Sequence, residues 1–391
     1  MLGWLWLFAL GTQAMGYDVV AVESTAPHPS LVRTEYTVQA GDGPLNQFSI
    51  THVRQRGHGH RKPLILLSPF LLPGAFYEVS ETSDYKDSLA GLLARGQYDV
   101  WLVDQRRTGL APGQCESGAF DCSVMGEWDF DAYVSDALFA TGLARWHSPG
   151  KKPIIGGFSA GSNAALATIN RAPHWFSGAF FYEGTFYTED PTLQAHNEPA
   201  CDLLEDELAS GATYDPSAAV FGAAISLAES DPDGFSPFGF PPGTSNQQAL
   251  LYVFGTPPPA GALSPTPNFV RMLVDWDAEQ FLYSNQARLG LVGPLFDNYG
   301  SLAALRDLAC GLSGDDDSHY DRLDRFRGDV LMFVGGTGFD TAMFDTANLL
   351  SGARTLTIEH RADLGEADFY FHQDWQRVFY RPLRRWLKQT R

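Results

Sequence analysis

Length, composition and charge bound what this chain can be. It has 391 residues, of which 44% are hydrophobic, and it can therefore bury a large core, as one α/β domain with an insertion or as two domains. Its formal net charge of -19 repels phosphates, which argues against nucleic acid and anionic membrane surfaces as partners.

Residues 1–16 have the pattern of a short export signal. Their apolar run has about the length of a signal-peptide hydrophobic region and is too short to span a bilayer. Small residues near 11–16 provide a cleavage site, but no Lys or Arg precedes the run. A buried first strand or an interfacial anchor is the alternative. We predict a secreted or otherwise exported protein, and no later segment has the length and apolarity of a transmembrane span.

Four cysteines fit an exported protein with up to two disulfides. Cys115 and Cys122 flank a small loop, whereas Cys201 and Cys310 lie near the ends of a long segment. Three pairings are possible, and the sequence does not choose among them. Because no His/Cys cluster has metal-ligand spacing, we expect neither a metal nor a cofactor. The oligomeric state is not predicted.

Strands and helices alternate along most of the chain. Paired strands are predicted over residues 18–60. The elements that follow are a strand at 63–67, a helix at 86–95, a strand at 98–103, a helix at 127–146, a strand at 153–156, a helix at 161–170 and a strand at 176–182. Strands at 329–334 and 354–358 and a long amphipathic helix at 367–388 end the chain. This order predicts an α/β fold with a doubly wound, mainly parallel sheet, which binds ligands at the carboxyl ends of its strands.

The alternation stops over residues 185–325, which are rich in Pro, Gly and Phe. A structureless loop of this length inside a domain is improbable, so we predict an inserted cap or lid. The predicted domains are a signal segment at 1–16, a core at 17–184 and 326–391, and a cap at 185–325. Four cap phenylalanines line an apolar entrance or fill the cap core: Phe235, Phe238, Phe240 and Phe254.

The pentapeptide Gly157-Phe-Ser-Ala-Gly161 follows a predicted strand and precedes a predicted helix. Strand, sharp turn and helix are the context of a nucleophile elbow, in which a strained turn lifts the Ser hydroxyl into a cleft. Ser159 is therefore the predicted nucleophile. The alternative is a glycine-rich turn in which Ser159 only caps the following helix.

Several segments together resemble the acid lipases, of gastric and lysosomal type, in the α/β-hydrolase superfamily. The resemblance covers nearly all of residues 18–388 and depends on these segments: Pro63–Leu72, Tyr98–Leu102, Trp128 with Phe130, Asn298–Ser301, Gly335–Gly336 and Asp368–Phe369. It implies an α/β-hydrolase fold with a large inserted cap and an ester-cleaving activity. It also implies backbone N–H groups of Leu71 and Ala160 as oxyanion donors.

Three positions depart from that family's pattern. The acid motif Gly-Gly-Asn-Asp ends here in Gly338, and the His of His-Leu-Asp-Phe is replaced by Glu366. The His-Gly before the oxyanion donor is Pro69-Phe70. A Ser hydroxyl needs a nearby base that takes its proton, so these departures leave the identity of the base and the acid open.

Substitutes for both roles lie nearby in the sequence. Asp340, two residues past the expected acid, is the leading candidate, and Asp345 is a poorer one. His372 leads as the base because its spacing of 32 residues from Asp340 suits the superfamily, with His360 as an alternative. Glu366 acts as a base only if burial raises its pKa toward neutrality. A site without any histidine base is the further alternative.

Two functions follow from these residues. The first is an exported serine hydrolase of esterase or lipase type, acting on a small apolar ester or lipid-like substrate with Ser159, Asp340 and His372 as its catalytic residues. The second is a triad-degenerate α/β-hydrolase-fold protein that binds an apolar ligand or catalyses a non-hydrolytic step. Only the net charge supports a third possibility, a luminal interaction protein.

Overall fold

A computed structural model describes residues 16–82, 84–258 and 264–390. The predicted signal segment, apart from its last residue, lies outside the described residues. Nine strands form one sheet in the order β1-β2-β3-β5-β4-β6-β7-β12-β13. Their bounds are β1 Tyr17–Thr25, β2 Leu31–Ala40, β3 Gln47–Gln55, β4 Lys62–Leu67, β5 Tyr98–Val103, β6 Ile154–Phe158, β7 Gly178–Tyr182, β12 Asp329–Gly335 and β13 Thr355–Arg361.

The sheet confirms the predicted doubly wound, mainly parallel architecture. Strands β1 to β3 pair antiparallel and join β5 in the same way. From β5 outward every pair is parallel: β5 with β4, β4 with β6, β6 with β7, β7 with β12, and β12 with β13. All residues of β6 and β12 are buried, as expected for strands covered by helices on both faces.

Apolar cores lie on the two faces of this sheet. Adjacent residues of β4 alternate between them: Ile65 and Leu67 belong to one core, and Leu64 and Leu66 to the other, since successive strand side chains point to opposite faces. The helices of the core are α1 Leu89–Arg95, α2 Phe130–His147 and α3 Ala160–Arg171. These elements lie close to their predicted positions.

The segment between β7 and β12, which we call the inserted segment, is partly helical. It contains α4 Pro191–Ala209, α5 Ala219–Ser230, α6 Asn246–Gly255, α7 Gln286–Val292 and α8 Leu302–Ser313, with the short strands β8 Tyr214–Asp215, β9 Val274–Asp275, β10 Gln280–Phe281 and β11 Gly300–Ser301. None of the described helices is long and apolar enough to cross a membrane.

Two disulfides fix the pairing that the sequence leaves open. Cys115 bonds to Cys122, closing a small loop, which we call the loop disulfide. Cys201 in α4 bonds to Cys310 in α8, which we call the insertion disulfide. The two helices it joins pack against each other around a small apolar cluster of their own.

The long C-terminal helix predicted at 367–388 is wrong. Over this range the chain forms α10 Asp368–Phe371, a π-helical turn at Gln376–Tyr380 and α11 Arg381–Gln389. A further helix, α9 Asp340–Leu349, lies before β13. The helix breaks at His372, whose backbone is extended. There the chain pairs with the inserted segment, with Gln373 N–H donating to Tyr283 C=O at 3.0 Å and Asn285 N–H donating to Phe371 C=O at 2.7 Å. These bonds replace the helical ones.

Candidate active site

Ser159 lies at the turn between β6 and α3, at the carboxyl edge of the sheet. Its backbone has φ 53° and ψ -125°, a conformation that costs a non-glycine residue energy and is concentrated at functional sites. Its N–H donates to Tyr182 C=O at 2.8 Å, and its C=O accepts from Ser162 and Asn163 N–H. The α3 helix begins without a side-chain cap from Ser159, so the hydroxyl is not engaged in capping.

The two glycines of the pentapeptide are required by close packing. A Cβ on Gly157 would lie 2.4 Å from the carbonyl carbon of Gly161, and a Cβ on Gly161 would lie 2.2 Å from Leu67 O. Both contacts involve backbone atoms, which have little freedom to move. The pentapeptide therefore packs the elbow directly against the end of β4, and this is what brings Ser159 next to the loop that follows β4.

Ser159 opens into a cavity of about 510 Å³ whose walls are mainly apolar. Most of the wall comes from the inserted segment. Much of the rest comes from the loops at the carboxyl ends of β4, β6, β12 and β13. Aromatic and aliphatic wall residues include Phe221, Phe254, Phe269, Met272, Phe296 and Phe371. A cavity of this size and polarity fits a small apolar molecule.

Glu366 lines the same cavity and is buried, with 6% of its surface exposed. Burial raises the pKa of its carboxyl, whereas the nearby Arg271 charge and a hydrogen bond with the Ser159 side chain lower it. Ser159 and Glu366 thus line one cavity, and the Ser159 side chain influences the pKa of the Glu366 carboxyl. Two backbone bonds hold the loop that carries Glu366 to the inserted segment: Glu366 N–H donates to Val270 C=O at 3.1 Å, and Ala367 N–H donates to Arg271 C=O at 2.7 Å.

A second buried carboxylate, Glu183, lies near Glu366, with Gly338 beside both residues. It follows β7 directly, has φ 50° and is fully buried. Its two oxygens accept hydrogen bonds from the N–H groups of Gly335 and Phe339, the latter at 2.8 Å. Burial raises the pKa of Glu183 well above its ordinary value. Those two bonds oppose the rise, and the charges of Glu366 and Asp340 add to it.

The Glu183 carboxylate occupies the space beside Gly338, the position where the resemblance places the catalytic acid. A Cβ on Gly338 would lie 2.0 Å from Glu183 Oε2 and 3.3 Å from Glu366 Cα. A side chain at position 338 and the present position of Glu183 therefore exclude each other. The carboxylate reaches this place from β7 instead of from the loop after β12.

Arg271 is the cation of the cavity wall. Its guanidinium lies 4.9 Å above the Phe221 ring and 5.8 Å above the Phe269 ring, within the range of cation–π attraction for the first and at its limit for the second. Burial lowers the pKa of Arg271, and the charge of Glu366 opposes this. The charges of Arg271 and Glu366, which both line the cavity, thus act on each other.

The two predicted oxyanion residues, Leu71 and Ala160, line the cavity on either side of Ser159. Leu71 has φ 63°, unusual for a branched aliphatic residue, and Leu71 C=O accepts from Asp297 N–H of the inserted segment at 2.8 Å. Ala160 is the first residue of α3, where backbone N–H groups have no partner inside the helix.

The structure does not bring Asp340 and His372 together with Ser159. Asp340, the first residue of α9, has its Oδ1 3.9 Å from Nε2 of His360 on β13, and both side chains are more than a third exposed. His372 stacks on Tyr283 with 5.9 Å between ring centroids, and its Nδ1 accepts from Asp374 N–H at 2.9 Å. Neither Asp340 nor His372 is among the residues that line the cavity. The break in the C-terminal helix carries His372 toward the inserted segment.

Sequence reasoning missed Glu183 and Arg271. Glu183 had a detectable signal, since an acidic residue directly follows the apolar strand Gly178–Tyr182, the next predicted strand after the one that precedes Ser159. Arg271 had none, because it lies in a segment without a periodic pattern. Among the four cap phenylalanines, Phe240 and Phe254 line the cavity, whereas Phe235 is 83% exposed.

Comparisons with known proteins agree with this geometry at the level of the fold. No protein-family profile and no curated protein matches the chain. Among solved structures it is similar to a candidate lipase from Sulfolobus solfataricus, with 19% identity, a TM-score of 0.65, and coverage of 95% of this chain and 100% of the other.

Two other solved structures are more distant. A thermophilic esterase from Thermogutta terrifontis has 13% identity and a TM-score of 0.46, with coverage of 89% of this chain and 96% of the other. The peroxisomal α/β-hydrolase Lpx1 from Saccharomyces cerevisiae has 11% identity and a TM-score of 0.46, with coverage of 94% and 90%. The strand order, the elbow after β6 and the likeness to the Sulfolobus structure together show that the chain has the α/β-hydrolase fold.

Proposed function

We propose that this protein is a serine ester hydrolase of esterase or lipase type, with Ser159 as the nucleophile and Glu366 as its base. The observation that supports this most directly is the position of Ser159. It stands in a strained turn with a positive φ on the wall of an apolar cavity, which the buried carboxyl of Glu366 also lines. This base differs from His372, the base that the sequence favours.

The reaction needs only groups of this chain and water. The Ser159 Oγ attacks the ester carbonyl carbon while its proton passes to Glu366, and the carbonyl oxygen becomes an oxyanion held by the N–H groups of Leu71 and Ala160. The oxyanion collapses, the ester C–O bond breaks, and the departing alcohol takes the proton from Glu366. Water then attacks the acyl-enzyme, gives its proton to Glu366 and releases the acid, and Ser159 regains its proton.

Glu366 takes the role that the sequence predicts for His372. A carboxylate is a weak base at its ordinary pKa, but burial raises the pKa of Glu366 and so brings its basicity closer to that of an imidazole. Arg271 acts in the opposite direction by favouring the ionised form, which is the form that can accept a proton. Burial and the Arg271 charge thus act in opposite directions on the pKa of the same carboxyl.

The cavity wall defines the substrate class. Apolar side chains, many of them phenylalanines, form most of it, so we propose an ester whose acyl or alcohol part is bulky and apolar. The two disulfides support export of the protein, because such bonds persist in oxidising compartments. The similarity to the acid lipase family belongs to the same proposal, with a changed base and acid.

Covalent labelling by a fluorophosphonate tests the proposal, together with hydrolysis of p-nitrophenyl esters of short and long acyl chains. We expect labelling of the wild type, none in Ser159→Ala, and a loss of about 10²–10⁴-fold in ester turnover in Glu366→Gln, the usual contribution of a general base. His372→Ala, which alters an imidazole outside the cavity, is the matched control and keeps wild-type turnover. Ester turnover that persists in Ser159→Ala would contradict the proposal.

A second candidate function is binding of an apolar ligand without turnover. It is favoured by one observation: among the described residues that line the cavity with Ser159 there is the carboxyl of Glu366 but no histidine. Folded wild-type protein that is not labelled by the fluorophosphonate, but releases an apolar molecule on extraction with organic solvent, would replace the hydrolase by this binding protein.

A further inference from the structure

We infer that Arg271 binds an anionic group of the substrate, so that the cavity takes esters whose apolar part carries a carboxylate. The inference rests on the proposed function, because it names the substrate class of the same site. Arg271 is then a specificity-determining residue, which contacts the substrate and takes no part in the proton transfers.

The backbone of Arg271 is fixed at the wall of the cavity. Its N–H donates to Phe254 C=O at 3.0 Å, and its C=O accepts from Ala367 N–H at 2.7 Å. Arg271 is thus held between the end of α6 and the loop that carries Glu366. Its half-buried side chain lines the cavity together with Ser159. A ligand whose ester group reaches Ser159 therefore shares this cavity with the guanidinium.

The Arg271 guanidinium has no hydrogen-bond acceptor and no ion-pair partner within 4.0 Å among the described residues. All Asp and Glu residues of the chain belong to this described part. The rings of Phe221 and Phe269 attract the charge, but they lack the oxygen acceptors that the five guanidinium N–H groups bind. These donors are therefore free to bind a group that enters the cavity.

Two acidic residues, Asp215 and Glu366, also line the cavity. The two oxygens of Asp215 accept from the N–H and the hydroxyl of Ser217 at 2.8 and 2.9 Å. The Glu366 charge acts on Arg271 without an ion pair at 4.0 Å or less, and the proposed reaction needs this carboxylate for the Ser159 proton. Neither carboxylate of the wall thus occupies the N–H groups of Arg271.

The chemistry of the wall selects the class of ligand. A cation among phenylalanines costs free energy unless it is paired and hydrogen-bonded, and an apolar side chain would continue the wall without that cost. A carboxylate matches the planar guanidinium, because it accepts two parallel N–H bonds. The cavity is about 510 Å³ and otherwise mainly apolar, which fits a small apolar ester with a single carboxylate.

Paired substrates test the inference through a ratio. The mono-p-nitrophenyl esters of adipic and suberic acid carry a carboxylate, and p-nitrophenyl hexanoate and octanoate are the neutral esters of the same chain lengths. We expect Arg271→Met to lower the preference for the charged ester, measured as a ratio of kcat/KM values, by about 10–100-fold, the contribution of charge-assisted hydrogen bonds. The ratio cancels any effect of Arg271 on Glu366, because both esters depend on the same base.

Two further variants complete this comparison. Arg271→Lys keeps the charge without the two parallel N–H groups and should retain part of the preference. Arg145→Met is the matched control, since Arg145 is exposed, lies 4.8 Å above the Trp175 ring and does not line the cavity. It removes the same charge from the protein and should leave the ratio unchanged.

Binding to Ser159→Ala measures the same contact without turnover. Isothermal titration calorimetry compares monomethyl suberate, which is charged, with dimethyl suberate, which is neutral. We expect the charged ester to bind about 10–100-fold more weakly when Arg271→Met is added to Ser159→Ala, whereas equal binding of the neutral ester shows that both proteins are folded.

Equal binding of monomethyl suberate by the two proteins, or an unchanged substrate ratio in Arg271→Met, would overturn the inference. Failure of the proposed function is recognised separately. If Ser159 is not labelled by the fluorophosphonate, the calorimetric comparison still decides whether Arg271 binds a carboxylate.

Discussion

Gly338→Ala tests whether the missing side chain at position 338 makes room for the buried Glu183 carboxyl. The new methyl carbon would lie 2.0 Å from Glu183 Oε2 and 2.8 Å from Glu183 Cδ, far inside van der Waals contact. The backbone φ of Gly338 is not in the left-handed region, so alanine adds no backbone strain. The substitution therefore acts through the displacement of Glu183.

The expected cost follows from the bonds that Glu183 loses. A displaced carboxyl leaves the N–H groups of Gly335 and Phe339 without their acceptor, and each buried unpaired donor costs about 1–3 kcal/mol. For the two donors together we expect Gly338→Ala to lower the free energy of unfolding by about 2–6 kcal/mol, measured by urea denaturation followed by tryptophan fluorescence. Fluorophosphonate labelling should slow as well, because Glu366 loses its neighbour.

Gly59→Ala is the matched control. A Cβ at Gly59 would meet no heavy atom within 4 Å, so its stability should stay within about 0.5 kcal/mol of wild type. Equal unfolding free energies and equal labelling rates for Gly338→Ala and Gly59→Ala would refute the reasoning, since the carboxyl would then have room beside a side chain.

Three further predictions concern other parts of the molecule. Arg271→Met removes the charge that lowers the pKa of Glu366, so the acid limb of the pH–rate profile for labelling should move to higher pH. Arg271→Lys keeps the charge and should stay closer to wild type, and identical acid limbs in the two variants would contradict this prediction. Removal of the insertion disulfide, which joins cysteines 109 residues apart, should destabilise the protein by about 4–5 kcal/mol by the chain-entropy relation, against about 2–3 kcal/mol for the loop disulfide. Urea denaturation of the two double Cys→Ser variants checks this, and a larger loss of stability without the loop disulfide would contradict it. Burial lowers the pKa of His147 from 6.5 to about 4, so the folded state resists its protonation and stability should fall as the pH drops from about 6.5 toward 4; His147→Gln should flatten that fall, and an unchanged slope would count against a buried neutral imidazole.

Much of the fold could be predicted because its signals are local. Continuous apolar runs mark β4, β5 and β12, and these strands lie where the sequence places them. The C-terminal helix failed for a physical reason, since an amphipathic pattern does not reveal that the inserted segment offers Tyr283 C=O to the chain just after His372. Pairing partners distant in sequence decide such breaks.

The candidate site was harder to predict, and its residues show why. Ser159 belongs to a motif whose residues are adjacent in sequence, so one segment suffices to find it. Glu183, Gly338 and Glu366 meet only after three loops converge, and each alone has an ordinary explanation. The missing side chain at Gly338 can be explained only from the structure, which places the Glu183 carboxyl beside it.

The backbone bonds from Glu366 and Ala367 to Val270 and Arg271 bear on how the inserted segment can move and how it can be altered. Lifting it as a rigid unit would either break those bonds or move Glu366 away from Ser159. An opening that admits substrate and leaves the base in place therefore has to bend within the segment, beyond Val270. For the same reason a shortened protein without the segment would not be a minimal enzyme, since it would lack the carbonyl groups that anchor its own base.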